Sequence, residues 1–472
     1  MAGVNPTAGS GLNSVPAPGK QTVASAFVDL RDSGWAQQYL PELMDKEAEV
    51  FGNRTISGFL SQVGAEEAMA SDQVLWSEQG RLHIKESVTI TTASLGLCTT
   101  AAAHSIRKGD TVVLHGLTGT GAGATIKGYV SAVPTTTTFN VLPYTQAALS
   151  TGSLFADADT ATVFVYGSEF KKGVDNLDRG SLEPGFQSFE NKPVIIKDLY
   201  EVSGSDASAI GWIEVSGEEG QSGYLWYLKA SGDTMSRFAD YCEMVCIEGE
   251  LNVNDASTGL GAQLGAISGT EGLFAAVKNR GHYTAGIVGS SASDDLDSFD
   301  FILKKFDAQG AIEENMMFVN RNVSLAIDDM LAAQNSYGTN GTSYGVFDNS
   351  EDMALNLGFT GFRRGSYDFY KSDWKYLNDA NTRGALNGED VRGVFVPAGV
   401  SSVYDQMLGK NMKRPFLHVR YRASQTESRR MKTWITGSVG AATSDLDAME
   451  VNYLSERCLI TQGANNFMLL TD

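Results

Sequence analysis

The stretch SGYLWYLKASGDTMSRFADYCEMV, residues 222–245, is the clearest helical pattern in the chain. Apart from one seven-residue gap across Gly232, its apolar residues recur at steps of three and four. We expect a helix from about residue 221 to 247, roughly 40 Å long at 1.5 Å per residue. Its apolar stripe predicts that one face lies against a core. The stripe consists of Leu225, Leu228, Met235, Phe238, Cys242 and Val245.

Strand-like sequence precedes this helix. Residues 74–92 place apolar side chains at mostly even separations, which is typical of extended β structure. FENKPVIIKDLYEVSG, residues 189–204, and its continuation to Val215 are rich in β-branched residues and predict further strands. The apolar positions of the first segment are Val74, Trp76, Leu82, Ile84, Val88 and Ile90.

Between these segments the composition changes to Thr, Ala, Gly and Val, and no Asp or Glu occurs between Asp110 and Asp157. Short strand-like runs alternate with Gly, Pro and Thr turns. We therefore expect residues 87–168 to form a small inserted β-barrel or β-sandwich. The runs are TVVLHG, TIKGYVSAV, TFNVLPY and TATVFVYG.

One glycine-rich stretch in this region, GDTVVLHGLTGTGAGATIKGYVSAV (residues 109–133), has the loop spacing of a dinucleotide fingerprint at Gly119, Gly121 and Ala124. A dinucleotide site also needs a following helix and an acidic residue about 20 positions later. Here β-branched residues follow, and the acid is missing. A P-loop is excluded because Ala122 and Gly123 stand where Lys and Ser or Thr are required. We predict a solvent-facing hairpin turn.

Residues 270–400 alternate helical and strand-like stretches, which indicates an α+β domain. In AIEENMMFVNRNVSLAIDDML, residues 311–331, apolar side chains form one stripe at helical spacing. RGVFVPAG (392–399) predicts a buried strand. FLHVRYRA, TWITGSV and CLITQGANNFMLL are strand-like and predict that the C-terminus is part of a sheet. The stripe consists of Ile312, Met316, Val319, Val323, Ile327 and Met330.

The N-terminal region has a different character. Its first twenty or so residues are rich in Gly, Pro, Ala and Ser and predict a mobile arm. A short amphipathic helix is expected from Ser33 to about Phe51. The sequence lacks the basic start and apolar run of a signal peptide and a stretch that would span a membrane. We expect a soluble protein made in the cytosol. The helix carries Trp35, Tyr39, Leu43 and Met44 at helical spacing.

The chain has 472 residues, of which 42% are hydrophobic, and a formal net charge of −20. That charge argues against a general nucleic-acid binder, because such proteins neutralise phosphates with Lys and Arg. One basic stripe contains a single acid, Glu427. The stripe would either contact nucleic acid or pair with acidic surfaces on a neighbouring copy. We favour pairing with a neighbouring copy, because the rest of the acidic surface repels phosphate. The stripe comprises Lys410, Lys413, Arg414, Arg420, Arg422, Arg429, Arg430 and Lys432.

The sequence predicts no catalytic, cofactor-binding or metal-binding residues. The five histidines form no HxH or HExxH pair, and no GxSxG elbow appears. The acidic cluster in SSASDDLDSFD lacks the spacing of a calcium loop and predicts a solvated loop. The four cysteines form no CxxC pair and predict buried thiols. These residues are His83, His104, His115, His282 and His418; Asp294, Asp295, Asp297 and Asp300; and Cys98, Cys242, Cys246 and Cys458.

The order of these segments resembles the major capsid proteins of tailed bacteriophages, which have the Hong Kong 97 fold, and looks most like those of podoviruses and crAss-like phages. The resemblance rests on FVYGSEFKKG followed by FENKPVIIKDLYEVSGSDASAIGWIEV, on the long helix, on AIEENMMFVNRNVS and on the ending SERCLITQGANNFMLLTD. It covers about three quarters of the chain. Residues 87–168 depart from the minimal family pattern.

The resemblance implies an α+β capsid fold with these divisions. Residues 1–55 are the N-terminal arm, 56–86 the start of the P-domain and the first side of the E-loop, and 87–168 the inserted all-β domain. Residues 169–215 are the returning E-loop, 216–250 the P-domain spine helix, 251–400 the A-domain, and 401–472 the C-terminal P-domain strands.

The implied function is that of a non-enzymatic shell protein without cofactors. It would assemble in the host bacterial cytoplasm as hexamers and pentamers into the icosahedral capsid of a virion and enclose double-stranded DNA that it contacts weakly. Portal, scaffolding and auxiliary proteins are the implied partners, and no membrane is involved. Some relatives form a Lys–Asn isopeptide cross-link. None of the lysines in the returning arm matches that chemistry, so we expect no cross-link. Those lysines are Lys171, Lys172, Lys192 and Lys197.

Two alternatives remain open. An encapsulin-like nanocompartment shares the fold, but that family is usually far shorter. A β-rich carbohydrate-binding protein would use the Thr- and Gly-rich region and aromatic residues. The aromatic candidates are Trp212, Trp226, Trp374 and Trp434.

Overall fold

The structure is a computed structural model. It describes residues 58–60, 65–81, 83, 85–173, 179–182, 186–208, 214–216, 222–252, 267–310, 312–334, 361–386, 390–398, 400–405, 410–439 and 442–471. The predicted helix from Ser33 to about Phe51 and the predicted mobile arm lie outside these residues.

The described chain contains both strands and helices, as expected for an α+β protein, and its first ten strands precede the first α-helix. The strands are β1 Ala65–Met69, β2 Val74–Gln79, β3 Lys85–Thr92, β4 Leu97–Thr100, β5 Asp110–Gly116, β6 Thr125–Thr135, β7 Thr138–Pro143, β8 Thr160–Ser168, β9 Phe186–Asn191, β10 Val194–Ser203, β11 Glu214–Ser216, β12 Ser222–Tyr224, β13 His282–Thr284, β14 Glu314–Val319, β15 Gly361–Arg364, β16 Tyr367–Asp373, β17 Val391–Pro397, β18 Val400–Asp405, β19 Lys410–Pro415, β20 Leu417–Arg422, β21 Lys432–Gly437, β22 Ala448–Thr461 and β23 Met468–Thr471. The helices are α1 Gly204–Ser208, α2 Leu225–Glu248, α3 Leu273–Arg280, α4 Ala292–Gln309, α5 Arg321–Gln334 and α6 Lys375–Asn378.

A six-stranded sheet in the order β13-β23-β17-β14-β16-β15 separates two hydrophobic cores. Along β14, Met317 and Val319 face one core with α4 and α5, and Phe318 faces the other with α2 and α3. A strand buried on both faces reads as a continuous apolar run. The sheet therefore lies in the middle of this part of the molecule.

This arrangement corrects the single helical stripe predicted from Ile312 to Met330. Residues 314–319 are the strand β14, and the helix α5 begins only at Arg321. β14 is apolar on both faces, so apolar residues in it occur at odd as well as even separations. The three-residue step from Met316 to Val319 therefore resembles helical spacing although both residues lie in a strand. Val323, Ile327 and Met330 do share the buried face of α5.

A five-stranded sheet packs against α2. Its order is β1-β20-β22-β10, with β21 also paired to β22. Phe238 and Cys242 of α2 pack against Val451 and Tyr453 of this sheet. Further along, Ile247 of α2 enters the core on the six-stranded sheet. The long helix thus packs against the five-stranded sheet and against one face of the six-stranded sheet. Its apolar stripe predicted that one face lies against a core.

The helix begins later than its sequence pattern suggests. α2 starts at Leu225 and runs for 24 residues, roughly 36 Å at the α-helical rise. Residues 222–224 form the strand β12 and pair with β11. The backbone hydrogen bonds of this ladder compete with helix extension, which the apolar spacing alone does not reveal.

The C-terminal tail joins both sheets. β20, β21 and β22 belong to the five-stranded sheet, but β23 pairs with β13 and β17 in the six-stranded sheet. The predicted boundary at residue 400, between the A-domain and the C-terminal P-domain strands, therefore separates β23 from its partner strands β13 and β17. The last four residues of the described chain are bound to a sheet, as the ending predicts.

Residues 85–168 form a closed barrel in the order β3-β4-β7-β6-β5-β8. It has its own core, which includes Ile90, Leu114, Phe139 and Val163. The chain enters and leaves through the antiparallel ribbon β2–β9, in which Val74 pairs with Asn191 and Gln79 with Phe186. The segment 74–92 is therefore two strands with different partners, one in the ribbon and one in the barrel.

Candidate functional site

The glycine-rich stretch is a β-hairpin connection, as the sequence predicts, and it binds a carboxylate of the protein itself. β5 and β6 pair antiparallel on either side of it. The Thr120 and Gly121 N–H groups donate to the Asp159 carboxylate at 3.2 and 2.8 Å, and the Ala156 N–H donates at 2.9 Å. Gly119, Thr120, Ala122 and Gly123 are exposed, as predicted for a solvent-facing turn, whereas Gly121 is buried. The N–H groups that could bind a phosphate are occupied by Asp159.

Backbone conformation explains one of the glycines. Gly119 has φ +74°, in the left-handed region that favours glycine. A Cβ at this position would collide with the Asp159 carboxylate. The close approach of Asp159 therefore accounts for Gly119, whereas a Cβ at Gly121 would collide with the Phe155 ring.

The Asp159 carboxylate makes the barrel sensitive to acid. The N–H groups of Ala156, Gly121 and Thr120, in that order of effect, lower its pKa from the ordinary value of 3.8. Because the folded-state pKa is lowered, the carboxylate stabilises the barrel above pH 3.8 and loses this effect as pH falls through the lowered pKa. We expect Asp159→Asn to reduce the amide hydrogen-exchange protection of residues 85–168 near pH 6. At about pH 3 the difference in protection between the variant and the wild type should become smaller, because Asp159 begins to be protonated.

Hydrogen-exchange mass spectrometry on barrel peptides measures this effect. The ribbon strand β2 provides an internal control, because its protection does not depend on the Asp159 contacts. Equal barrel protection in the two proteins at both pH values would contradict the role of Asp159.

A buried ion pair connects the barrel to the returning chain. Asp110 is 1% exposed, and its carboxylate accepts from Arg179 at 2.5 Å and from the Arg107 N–H at 2.8 Å. The Arg179 guanidinium also lies 5.4 Å from the centre of the Phe170 ring. The orientation of the barrel on its ribbon is therefore partly set by charged groups on both sides of the junction.

A second buried carboxylate, Glu243 on α2, binds the first described residues of the chain. Its oxygens accept from the N–H groups of Gly58 and Phe59 at 2.7 Å each and of Leu60 at 3.3 Å. Burial raises the pKa of Glu243, and the three N–H donors oppose that shift. Glu243 thus anchors the chain just after the N-terminal region onto the long helix. The sequence does not reveal this contact, because its only signal is one acidic residue beside the apolar stripe of the helix.

The C-terminal end of α2 carries another acid with several partners. Glu248 accepts from the Tyr376 hydroxyl at 2.7 Å and from the Arg383 guanidinium at 2.6 Å. Arg383 also donates to Asp390 at 2.8 Å and lies over the Phe274 ring. These contacts connect the end of α2 to the segment that follows β16.

Most of the basic stripe pairs within the chain. Arg420 contacts Glu67 at 3.1 Å, Arg429 contacts Glu456 at 2.9 Å, and Lys432 contacts Glu427 at 2.6 Å. Arg422 binds Asp72 and Glu456, and Arg430 binds Glu66. The preference for acidic surfaces on a neighbouring copy is therefore wrong for these five residues. Sequence spacing could not reveal the partners on β1, which pairs with β20 from more than 340 residues away. The side chains of Lys410, Lys413 and Arg414 lie outside the described ones.

The acidic cluster is a helix terminus, which corrects the prediction of a solvated loop. The helix α4 begins here, with the Ser291 side chain accepting from the Asp294 N–H as the N-cap. Asp295 is 2% exposed and accepts from the Val288 and Gly289 N–H groups. Asp300 pairs with Arg364 at 2.5 Å. Acidic residues stabilise a helix N-terminus, so these aspartates have a structural role.

The cysteines are buried free thiols, as predicted. Burial raises the pKa of Cys98, Cys246 and Cys458 to about 12 and raises that of Cys242 as well. We expect a thiol-reactive reagent at neutral pH to label none of the four cysteines in the native chain and all four after unfolding, because only exposed thiolate reacts. A chromogenic disulfide reagent with and without denaturant measures this. Rapid labelling of the native protein would contradict the packing described above.

The histidines do not form a common site. His83 and His115 are exposed, His418 is buried in the five-stranded sheet, and His104 packs edge-on against Phe139 at 5.0 Å. Among the described residues, no group of three or more His, Cys, Asp or Glu side chains is arranged to hold a metal ion. None of the helices in the described part of the chain has the length and apolar composition needed to cross a bilayer.

Comparison with known proteins gives remote structural matches only. No protein-family model and no curated sequence matches the chain. A chain of Gordonia phage Cozz aligns over 95% of this chain and 96% of its own, with a TM-score of 0.42 and 8% identity. A chain of Microbacterium phage Oxtober96 aligns over 94% and 99%, with a TM-score of 0.41 and 8% identity. The asymmetric unit of the bacteriophage PhiM1 mature capsid aligns over 91% of both chains, with a TM-score of 0.36 and 8% identity. At these values the likeness establishes neither the fold family nor the function of this chain.

Proposed function

We propose that this chain is the major capsid protein of a tailed bacteriophage, a shell subunit of the Hong Kong 97 type. The observation that carries the proposal is the β2–β9 ribbon, which leaves the two sheets and carries a barrel with a separate core. An isolated two-stranded ribbon is only marginally stable in water. Its length is better explained if it lies across another copy in an assembly.

In this proposal the ribbon is the E-loop and the barrel is the inserted domain. The helix α2 is the spine helix, and the five-stranded sheet belongs to the P-domain. The six-stranded sheet with α4 and α5 belongs to the A-domain, to which β23 is added from the C-terminus. Residues 1–55 are the N-terminal arm, and Glu243 would fix the point where that arm joins the spine helix.

The proposed assembly is an icosahedral shell of hexamers and pentamers around double-stranded DNA, formed in the host cytoplasm with portal, scaffolding and auxiliary proteins. The net charge of −20 supports weak contact with the packaged DNA, because an acidic wall does not retain phosphates. The ion pairs of the basic stripe support the same view, since they neutralise cations that would otherwise be free for DNA. We expect no covalent cross-link between subunits and no enzymatic activity.

The carbohydrate-binding alternative loses part of its support. Trp374 is 5% exposed and stacks on Phe59 in the core, so its ring is not free to contact a sugar. The encapsulin-like alternative predicts shells that enclose protein in place of DNA.

Size-exclusion chromatography combined with negative-stain electron microscopy tests the proposal. The recombinant full chain should form shells, or rings of five or six copies, when expressed alone or with its genomic neighbours. A monomer of 50.5 kDa under every condition would contradict the proposal.

A further inference from the structure

The β2–β9 ribbon has one buried face and one exposed face. Trp76 of β2 lies opposite Phe189 of β9, and the centres of their rings are 6.1 Å apart. Trp76 is 9% exposed, and both rings pack in a cluster with Cys458 and Ile460 of β22. On the opposite face of the ribbon, Leu75 is 64% exposed. One face of the ribbon therefore lies on the body of its own chain.

Arg280, the last residue of α3, contacts the buried face of the ribbon. Its guanidinium carbon lies 5.4 Å from the centre of the Trp76 ring and 4.6 Å from that of Phe189. A guanidinium is attracted to the face of an aromatic ring, and more strongly where water is excluded. The Arg280 side chain is only 14% exposed. One cation thus contacts both strands of the ribbon at the same cross-strand pair.

Two carboxylates and a carbonyl fix the position of Arg280. Glu271 pairs with the guanidinium at 2.7 Å, and Glu78 lies 3.7 Å from it. The guanidinium also donates to the Thr461 carbonyl at 3.3 Å. Glu78 belongs to β2 and accepts from the indole N–H of Trp76 at 3.0 Å. Arg280 therefore connects the ribbon to α3 and to the end of β22 through charge-assisted contacts, which are stronger than neutral ones.

The end of β9 is attached to the same part of the body. Asn191 is fully buried, and its side-chain amide donates to the carbonyls of Glu271 and Leu459 at 2.9 and 2.6 Å. Its side-chain oxygen accepts from the Glu271 N–H at 2.8 Å. On the other strand, Glu78 accepts from the Gly463 N–H at 3.0 Å. The body thus contacts the ribbon at several points along its length, with Arg280 at the centre.

We propose that Arg280 is a positioning residue, which fixes the direction of the ribbon in the free subunit, before a neighbouring subunit binds. The proposal rests on the shell function, in which the direction of the ribbon sets the angle between one subunit and the next. A ribbon that is already fixed loses less conformational freedom on association, so less of the binding free energy is lost. Lysine is a poor substitute, because a compact ammonium lacks the planar group that stacks on rings and binds carboxylates at the same time.

The test compares the full wild-type chain with Arg280→Lys and with Glu271→Gln, which keeps Arg280 but removes its closest negative charge. Arg321→Lys is the matched control, because Arg321 forms an ion pair with Asp373 and its side chain is 60% exposed. Far-ultraviolet circular dichroism verifies that each variant is folded. Hydrogen-exchange mass spectrometry, at a protein concentration too low for assembly, measures the protection of β2 and β9, with α4 as the internal reference. Negative-stain electron microscopy at a higher concentration counts closed shells.

Both variants should lower the protection of ribbon amides by about tenfold relative to α4, whereas the control should match the wild type in both segments. The number of closed shells should fall as well, because a misdirected ribbon meets its neighbour at the wrong angle. Unchanged ribbon protection in both variants would overturn the positioning role and leave the shell function intact.

Two further outcomes separate this proposal from its alternatives. Loss of ribbon protection with a normal yield of shells would overturn the positioning role, because Arg280 would then stabilise the ribbon without directing assembly. If the wild-type chain never assembles, the shell function is overturned, and the role of Arg280 in assembly is overturned with it.

Discussion

Replacing Glu243 with alanine should destabilise the chain by about 3 kcal/mol, because one buried and two part-buried N–H groups lose the carboxylate that accepts from them. Those donors belong to Gly58, Phe59 and Leu60, and Phe59 is 4% exposed within the core. Loss of the anchor also frees the Phe59 ring from its stack on Trp374, 4.5 Å away. Urea unfolding monitored by tryptophan fluorescence measures the change in the free energy of unfolding.

Glu243→Gln is the informative partner of this variant. Its amide keeps one oxygen that accepts hydrogen bonds, so we expect roughly half of the loss seen with alanine. Ser236→Ala on the exposed side of the same helix serves as the matched control and should change stability by less than about 0.5 kcal/mol. An alanine variant at position 243 as stable as this control would show that the anchor contributes nothing.

Phe369→Ala should have the largest effect of the single substitutions considered, about 3–5 kcal/mol, because it deletes a buried ring and leaves a cavity. Phe369 is 1% exposed on β16 and lies 5.0 Å from the ring of Phe299, 5.5 Å from Phe362 and 6.0 Å from Phe395. These rings belong to one core and join α4 to β15, β16 and β17 on one face of the six-stranded sheet. Differential scanning calorimetry or urea unfolding measures the loss.

The next residue provides the control. Tyr370 points to the opposite side of β16 and is 51% exposed, so Tyr370→Ala should cost less than about 1 kcal/mol. Equal losses at the two positions would mean that the register of β16 is not the one described. Comparing Phe369→Ala with Tyr370→Ala thus tests whether successive side chains of β16 point to opposite faces of the six-stranded sheet.

Sequence periodicity predicted the elements whose pattern has a single cause. The long helix α2, the strand β17 and the four barrel strands β5 to β8 all follow from apolar spacing and turn residues. β14 was misread because burial on both faces removes the alternation that distinguishes a strand from a helix. The start of α2 was misplaced because β12 gains a partner, β11, that local sequence does not reveal.

The polar contacts were much harder to predict. Asp159 and Gly121 are 38 residues apart, Glu243 and Phe59 are 184 apart, and Arg422 and Asp72 are 350 apart. Such pairs depend on the complete fold, and one sequence carries no signal for them. The glycine-rich turn shows both cases. The residues that follow it were enough to exclude a nucleotide site, but they gave no sign that its N–H groups bind the carboxylate of Asp159, 38 residues away.

Electron cryomicroscopy of particles formed by the full chain tests the central claim most directly. The account predicts a closed shell of rings of five and six copies, in which the β2–β9 ribbon of each subunit lies across its neighbour. A reconstruction of isolated monomers, or of an assembly in which the ribbon and the barrel contact only their own chain, would contradict it.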